Sequence, residues 1–165
     1  MIPQEEGRLI SRIAQRVIRS RGERPQGGRD GLAEGSADYE AYIVTPGFPR
    51  MGFTLGTYLR SPKEFGVQSH GILYPDLKKL KWRQYDGAEY ITFTHAGEAY
   101  TLRGRGLYEM YLAMMDGTLQ SVLEYDASVF APIDPSQPII DRVAVTDVAE
   151  MVRRSREDRE SRRTH

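Results

Sequence analysis

The chain has no cysteine, a single tryptophan and only three histidines among its 165 residues. Without a thiol there is no disulfide framework, no thiol nucleophile and no cysteine-based zinc or iron–sulfur site. No apolar run is long enough to cross a bilayer, so a membrane partner is not expected. The opening Met1-Ile2-Pro3-Gln4-Glu5-Glu6 lacks the basic leader and apolar core of a secretory signal, and the expected location is cytoplasmic. An excess of charge of one sign is also missing, because 23 basic residues balance 23 acidic ones. That balance hides an uneven distribution. Residues 1–24 hold six arginines against three glutamates, and residues 150–165 hold six arginines against four acids. The interval 25–149 is left with 11 basic and 16 acidic groups. Basic ends around an acidic middle suit a partner of opposite charge, which includes the chain's own domain or a second copy.

What is present is a register. Asp86-Gly87 and Ala96-Gly97 are two-residue hairpin turns, with residues that tolerate positive φ. Pairing outward from the first sets Tyr85 against Ala88, Arg83 against Tyr90, Trp82 against Ile91, Lys81 against Thr92 and Leu80 against Phe93. The second pairs His95 with Glu98, Phe93 with Tyr100 and Ile91 with Leu102. All the large apolar side chains (Leu80, Trp82, Ile91, Phe93, Tyr100 and Leu102) then fall on one face. Lys81, Arg83, Tyr90, Thr92, Thr94, Thr101 and Arg103 fall on the other. A one-residue slip would reverse a strand's faces, so agreement across two turns specifies a meander over about residues 79–103.

The expected fold is therefore α+β: a small antiparallel sheet packed by a helix over 107–116. Leu107, Tyr108, Tyr111, Leu112 and Met115 make that helix's apolar stripe, and Gly117 ends it. Before the sheet, Leu9, Ile10, Ile13, Val17 and Ile18 repeat at helical spacing and predict an amphipathic helix within 1–21. Residues 22–37, rich in Gly, Pro and charge, read as a flexible linker. A globular domain follows over 38–149. Within it Tyr42–Val44, Ile72–Tyr74, Leu119–Tyr125 and Val143–Val145 read as extended, and Phe53–Leu55 as extended or briefly helical. Thr146 stands as the cap of a final helix, with a charged, partly disordered tail at 150–165.

Candidate chemistry is sparse. His95 flanks a turn opposite Glu98, with Thr94 and Tyr100 as adjacent hydroxyls. His70 lies in Gln68-Ser69-His70-Gly71, followed by Asp76. Convergence of His70, Asp76 and His95 would make a divalent-metal or acid–base site for a small hydrolase, although no spacing such as HExxH supports it. Asp86, Glu89 and Asp116 read as turn carboxylates and form no glycosidase pair. Arg103-Gly104-Arg105-Gly106 leads into the 107–116 helix, where guanidinium groups and helical N–H groups suit an anion. The run does not match a P-loop or a dinucleotide fingerprint. RNA-recognition aromatics, a metal finger and the kinase loop are likewise absent.

These features point to a non-enzymatic protein–protein interaction or assembly module, with Leu9, Ile10, Ile13, Val17 and Ile18 as the face for another protein or a second copy. The first alternative is an anion or nucleic-acid binding module using Lys81, Arg83, Arg103 and Arg105. The second is the hydrolase on His70 and His95. No cofactor is expected.

Overall fold

The computed structural model describes Gly35, residues 37–59 and residues 66–163. The amino-terminal stripe at residues 9–18 and most of the expected linker lie outside them. Eight strands are present among the described residues: β1 (Tyr42–Val44), β2 (Gly52–Tyr58), β3 (Val67–Leu73), β4 (Lys78–Tyr85), β5 (Ala88–His95), β6 (Glu98–Arg105), β7 (Leu119–Leu123) and β8 (Ile139–Asp147). The described residues also form α1 (Tyr108–Met115) and α2 (Val148–Arg163), with a 3-10 turn at Tyr74–Asp76. The fold is α+β.

The meander forms in the anticipated register from Tyr85↔Ala88 to Lys81↔Thr92, and from His95↔Glu98 onward across β5 and β6. Asp86 and Gly87 adopt φ of 50° and 72°, and Ala96 and Gly97 adopt 50° and 85°, as the mirror-image hairpin turns require. Leu80 does not pair with Phe93. Lys79 takes φ 57° and the register shifts between Lys78 and Lys81, so Lys78 meets Thr94.

A single covered meander is nevertheless too simple. Among the described residues there are two four-stranded sheets, ordered β4-β5-β6-β8 and β1-β7-β2-β3. The first is antiparallel throughout. In the second, β7 runs antiparallel to β1 and parallel to β2. Phe53–Leu55 thus belongs to a full seven-residue strand, and Ile72–Leu73 ends another.

The inner faces of the sheets meet. Phe53 and Leu55 of β2 and Ile72 of β3 join Ile91, Phe93, Tyr100 and Leu102 in one core. The Phe53 and Phe93 rings cross edge to face at 6.2 Å, while Phe93 stacks on Tyr100 at 4.9 Å. Each large side chain buried in this way contributes about 1.5–3 kcal/mol. The meander's dry face is therefore shared between a second sheet and α1, rather than belonging to the helix alone.

The helix meets the core with only part of the expected stripe: Leu107 is buried and Tyr111 packs against the core, but the rest of the inward side differs. Leu107, Met110, Ala113 and Met114 are buried, whereas Tyr108 and Met115 are 46% and 63% exposed. The expected stripe favoured the larger aromatic side chains. The actual one uses flexible methionines and a small alanine, which fill the irregular space beside two sheets.

One seam ties the sheets together. Glu124, directly after β7, is 1% exposed. One carboxylate oxygen accepts the Tyr58 N–H of β2 at 3.0 Å, and the other accepts the Val143 N–H of β8 at 3.0 Å. Beside it, the Tyr39 hydroxyl donates to the Leu123 carbonyl at 2.7 Å and accepts the Ile140 N–H at 3.0 Å. The Tyr125 N–H donates to the Ile140 carbonyl at 2.8 Å. Burial pushes the Tyr39 hydroxyl's pKa well above the ordinary tyrosine value, so it stays protonated as this donor role requires.

Replacing Glu124 by leucine removes both acceptors and strands two backbone donors, each at about 1–3 kcal/mol. Glu124→Leu should lower unfolding stability by about 2–6 kcal/mol, read from urea denaturation. An unchanged midpoint would show that the sheets hold together without the seam.

Candidate functional site

The outer face of the β4-β5-β6-β8 sheet is where the sequence-predicted polar residues gather. Alternation along the four strands puts Arg83, Tyr90, Arg103 and Arg142 in one row across the sheet, paired in that order. The next row toward the β5–β6 turn is Lys81, Thr92, Thr101 and Ala144. Lys81, Arg83, Arg103 and Arg142 are exposed. No aspartate or glutamate occupies a paired position in either row. The acidic members of these strands lie in other rows. Glu89 pairs with Gln84 and Gly104, while Glu98 pairs with His95 and Asp147. Among the described residues, the acid in a salt bridge with the basic row is Asp141, at the register shift of β8, where it meets Arg103 at 3.8 Å. Both partners are exposed, so the pair is weak and leaves the row positive.

Toward the β5–β6 turn the face continues beneath α2. A cleft of about 420 Å³ is lined there by Lys79, Thr94, Ala99, Met151, Arg156 and Arg159, with Val148, Val152 and Ser155. Asp147 Oδ1 caps this helix by accepting the Ala149 and Glu150 N–H groups at 2.7 and 3.1 Å. The cap is therefore Asp147 rather than Thr146. Met151 and Val152 remain 47% exposed.

The glycine-rich exit loop already has its anion. Glu89 Oε1 accepts the Gly106 N–H at 2.7 Å, and Oε2 accepts the Leu107 N–H at 2.9 Å and the Trp82 indole N–H at 2.8 Å. A carboxylate at the positive end of α1 is favourable, and here it is intramolecular. Glu89 is thus a helix anchor on the inner face of β5, not a turn residue. Arg103 reaches Asp141, while Arg105 donates to the Gln137 and Asp134 carbonyls at 3.3 and 3.2 Å. Gly104 serves a close approach, since a Cβ there would stand 1.9 Å from the Ile139 carbonyl oxygen.

The histidines divide. His95 is buried, and its Nε2 accepts the Leu73 N–H at 3.1 Å, tying β5 to β3. His70 Nδ1 lies 3.4 Å from the Tyr100 hydroxyl, which donates to Glu98 at 2.6 Å. Burial, followed by the hydrogen bond and charge of Glu98, raises the Tyr100 pKa and keeps its proton in place. His95 faces Glu98 in the register but spends its Nε2 on the backbone. Asp76 is exposed in the 3-10 turn. Among the described residues, no group of three or more His, Asp or Glu side chains is placed to hold a metal ion.

Sequence reasoning missed Arg142, Tyr85, Lys79, Arg156 and Arg159 as members of the basic face. It also missed exposed apolar residues in the loop before β2 and at the end of α1. Phe48, Met51 and Met115 are 71%, 75% and 63% exposed. The hydrogen bonds Thr45 N–H to Thr118 O and Arg50 N–H to Gly117 O bring the Phe48–Met51 loop beside the end of α1. Among the described residues, no helix is long and apolar enough to cross a membrane. No protein-family model, no curated protein and no solved structure matches the chain.

Glu89→Ala should lower stability by about 1–3 kcal/mol, less than full burial would imply because water reaches Gly106. Trp82 is the only tryptophan, so its emission reports the lost indole bond directly. Unchanged emission and an unchanged urea midpoint would show that the carboxylate does not anchor the helix.

Proposed function

We propose that this protein is a non-enzymatic binding module whose working surface is the outer face of the β4-β5-β6-β8 sheet, and that its partner is a polyanion. The observation that carries this reading is the row Arg83–Tyr90–Arg103–Arg142, with Lys81 in the next row and no acid paired into either. The interval 25–149 is acidic as a whole, so a cation-rich face within it is a segregation of charge. Segregated charge attracts a partner of opposite sign and sets its orientation. The exit loop contributes geometry instead of a binding nest, because Glu89 fills the helix terminus.

Binding of heparin to the full chain should be strong at low salt and should weaken with rising salt as counterion release requires. The triple change Arg83→Ala, Arg103→Ala and Arg142→Ala should reduce it by at least about tenfold, with little effect on the thermal midpoint, since surface changes lie within about 0.5 kcal/mol each. Equal binding by the variant, or none by the wild type, removes the reading.

A second reading is assembly through protein contact, here with a second copy of the chain. Phe48, Met51 and Met115 favour it, because exposed apolar groups gathered in one place mark interaction sites. Light scattering on the full chain should then give a dimer that Phe48→Ser with Met51→Ser converts to monomer. A monomer at every concentration sinks this second reading and leaves the first untouched.

A further inference from the structure

We infer that the polyanion is a single-stranded nucleic acid, laid across the sheet with its bases on Tyr85 and Tyr90. This rests on the polyanion reading above and adds what the charges alone do not specify. Tyr85 pairs with Ala88, and Arg83 pairs with Tyr90. Tyr85 and Tyr90 are therefore diagonal neighbours on adjacent strands of the same face, at a separation of about 7–8 Å or slightly less between their Cβ atoms. Tyr85 is 74% exposed, a large apolar ring held out in water at the end of a hairpin. Nothing in the core requires it there.

Two aromatic platforms at that separation suit successive bases of an extended strand. A duplex spaces its bases by about 3.4 Å along each strand and keeps their faces stacked on one another. Its faces are not available to a ring on a flat sheet. Single-stranded binding surfaces combine aromatic platforms with a cationic track for the backbone. Here Arg83 and Lys81 flank the rings on β4, while Arg103 and Arg142 continue the row across β6 and β8. The track has a second station. Thr94, in the cleft with Lys79, Arg156 and Arg159, lies four residues along β5 from Tyr90, about 13 Å at strand rise. Among the described residues that line that cleft, none is an aspartate or glutamate. A strand leaving the tyrosines in that direction would meet cations again beside α2.

Fluorescence anisotropy on the full chain, at low salt, would compare a short oligouridylate, an oligodeoxythymidylate, a duplex of the same length and heparin. Both single strands should bind more tightly than the duplex. Tyr85→Ala and Tyr90→Ala should each weaken single-strand binding about five- to hundredfold. Heparin binding should be nearly unchanged in these variants. Tyr85→Phe, which keeps the ring, should retain affinity. Because Tyr85 is exposed, its variants test the inference even if Tyr90→Ala proves unstable. Duplex binding as tight as single-strand binding, or indifference to both alanine variants while heparin still binds, overturns the single-strand assignment and leaves the polyanion reading standing. Failure of heparin to bind as well removes both.

Discussion

A carboxylate with almost no solvent contact holds this fold together. Glu124 gives one oxygen to the end of β2 and the other to the middle of β8, so a single side chain satisfies a donor from each sheet. Desolvating a carboxylate costs several kcal/mol, and only well-placed donors offset it. The geometry must therefore be kept or the charge becomes a liability. Tyr39 repeats the device one step away with a hydroxyl that links Leu123 to Ile140. Its ring packs edge to face on Tyr125 at 5.2 Å and on Phe130 at 5.1 Å, which seals the seam from water.

A second, half-buried acid acts on the helix. Glu89 collects the indole of Trp82 and the first free N–H groups before α1, and so fixes where that helix starts relative to β4 and β5. Trp82 and Tyr108 then meet edge to face at 5.1 Å. Two acids of the inner surface are used for construction, while the cations of the same sheet point outward. This division helps leave the outer face of the β4-β5-β6-β8 sheet basic. It also explains why the Arg103–Gly106 loop, attractive as an anion site in the sequence, has its N–H groups occupied from within.

The histidines show the same economy of polar groups. His95 accepts a backbone N–H from Leu73, and His70 stands against a tyrosine committed to Glu98. These contacts join β3 to β5 and β6, at the side of the core away from the Glu124 seam. His95 and the His70–Tyr100–Glu98 group thus link strands across the core, although the His70 Nε2 is left without a hydrogen-bond partner.

The sequence alone determined the meander from Lys81 onward, short of the shift at Lys79 that breaks the expected Leu80–Phe93 pair. Two turn dipeptides with positive-φ residues, together with strict alternation, fix faces and register locally, and nothing distant is needed to read them. The basic outer residues Lys81, Arg83 and Arg103 follow from the same alternation. Only the tertiary structure decided the rest. The parallel pairing of β2 with β7 joins Thr54 to Ser121 across a separation that no local pattern encodes. Arg142 enters the row only because β8 returns beside β6, with a register shift that brings it opposite Arg103. The inward side of α1 depended on the shape left by two sheets, which its own periodicity anticipated only in part. Glu89 and Glu124 are ordinary acids in a one-dimensional reading. Their roles arise from which backbone donors the folded chain leaves without a partner, and that is settled only when the strands have met.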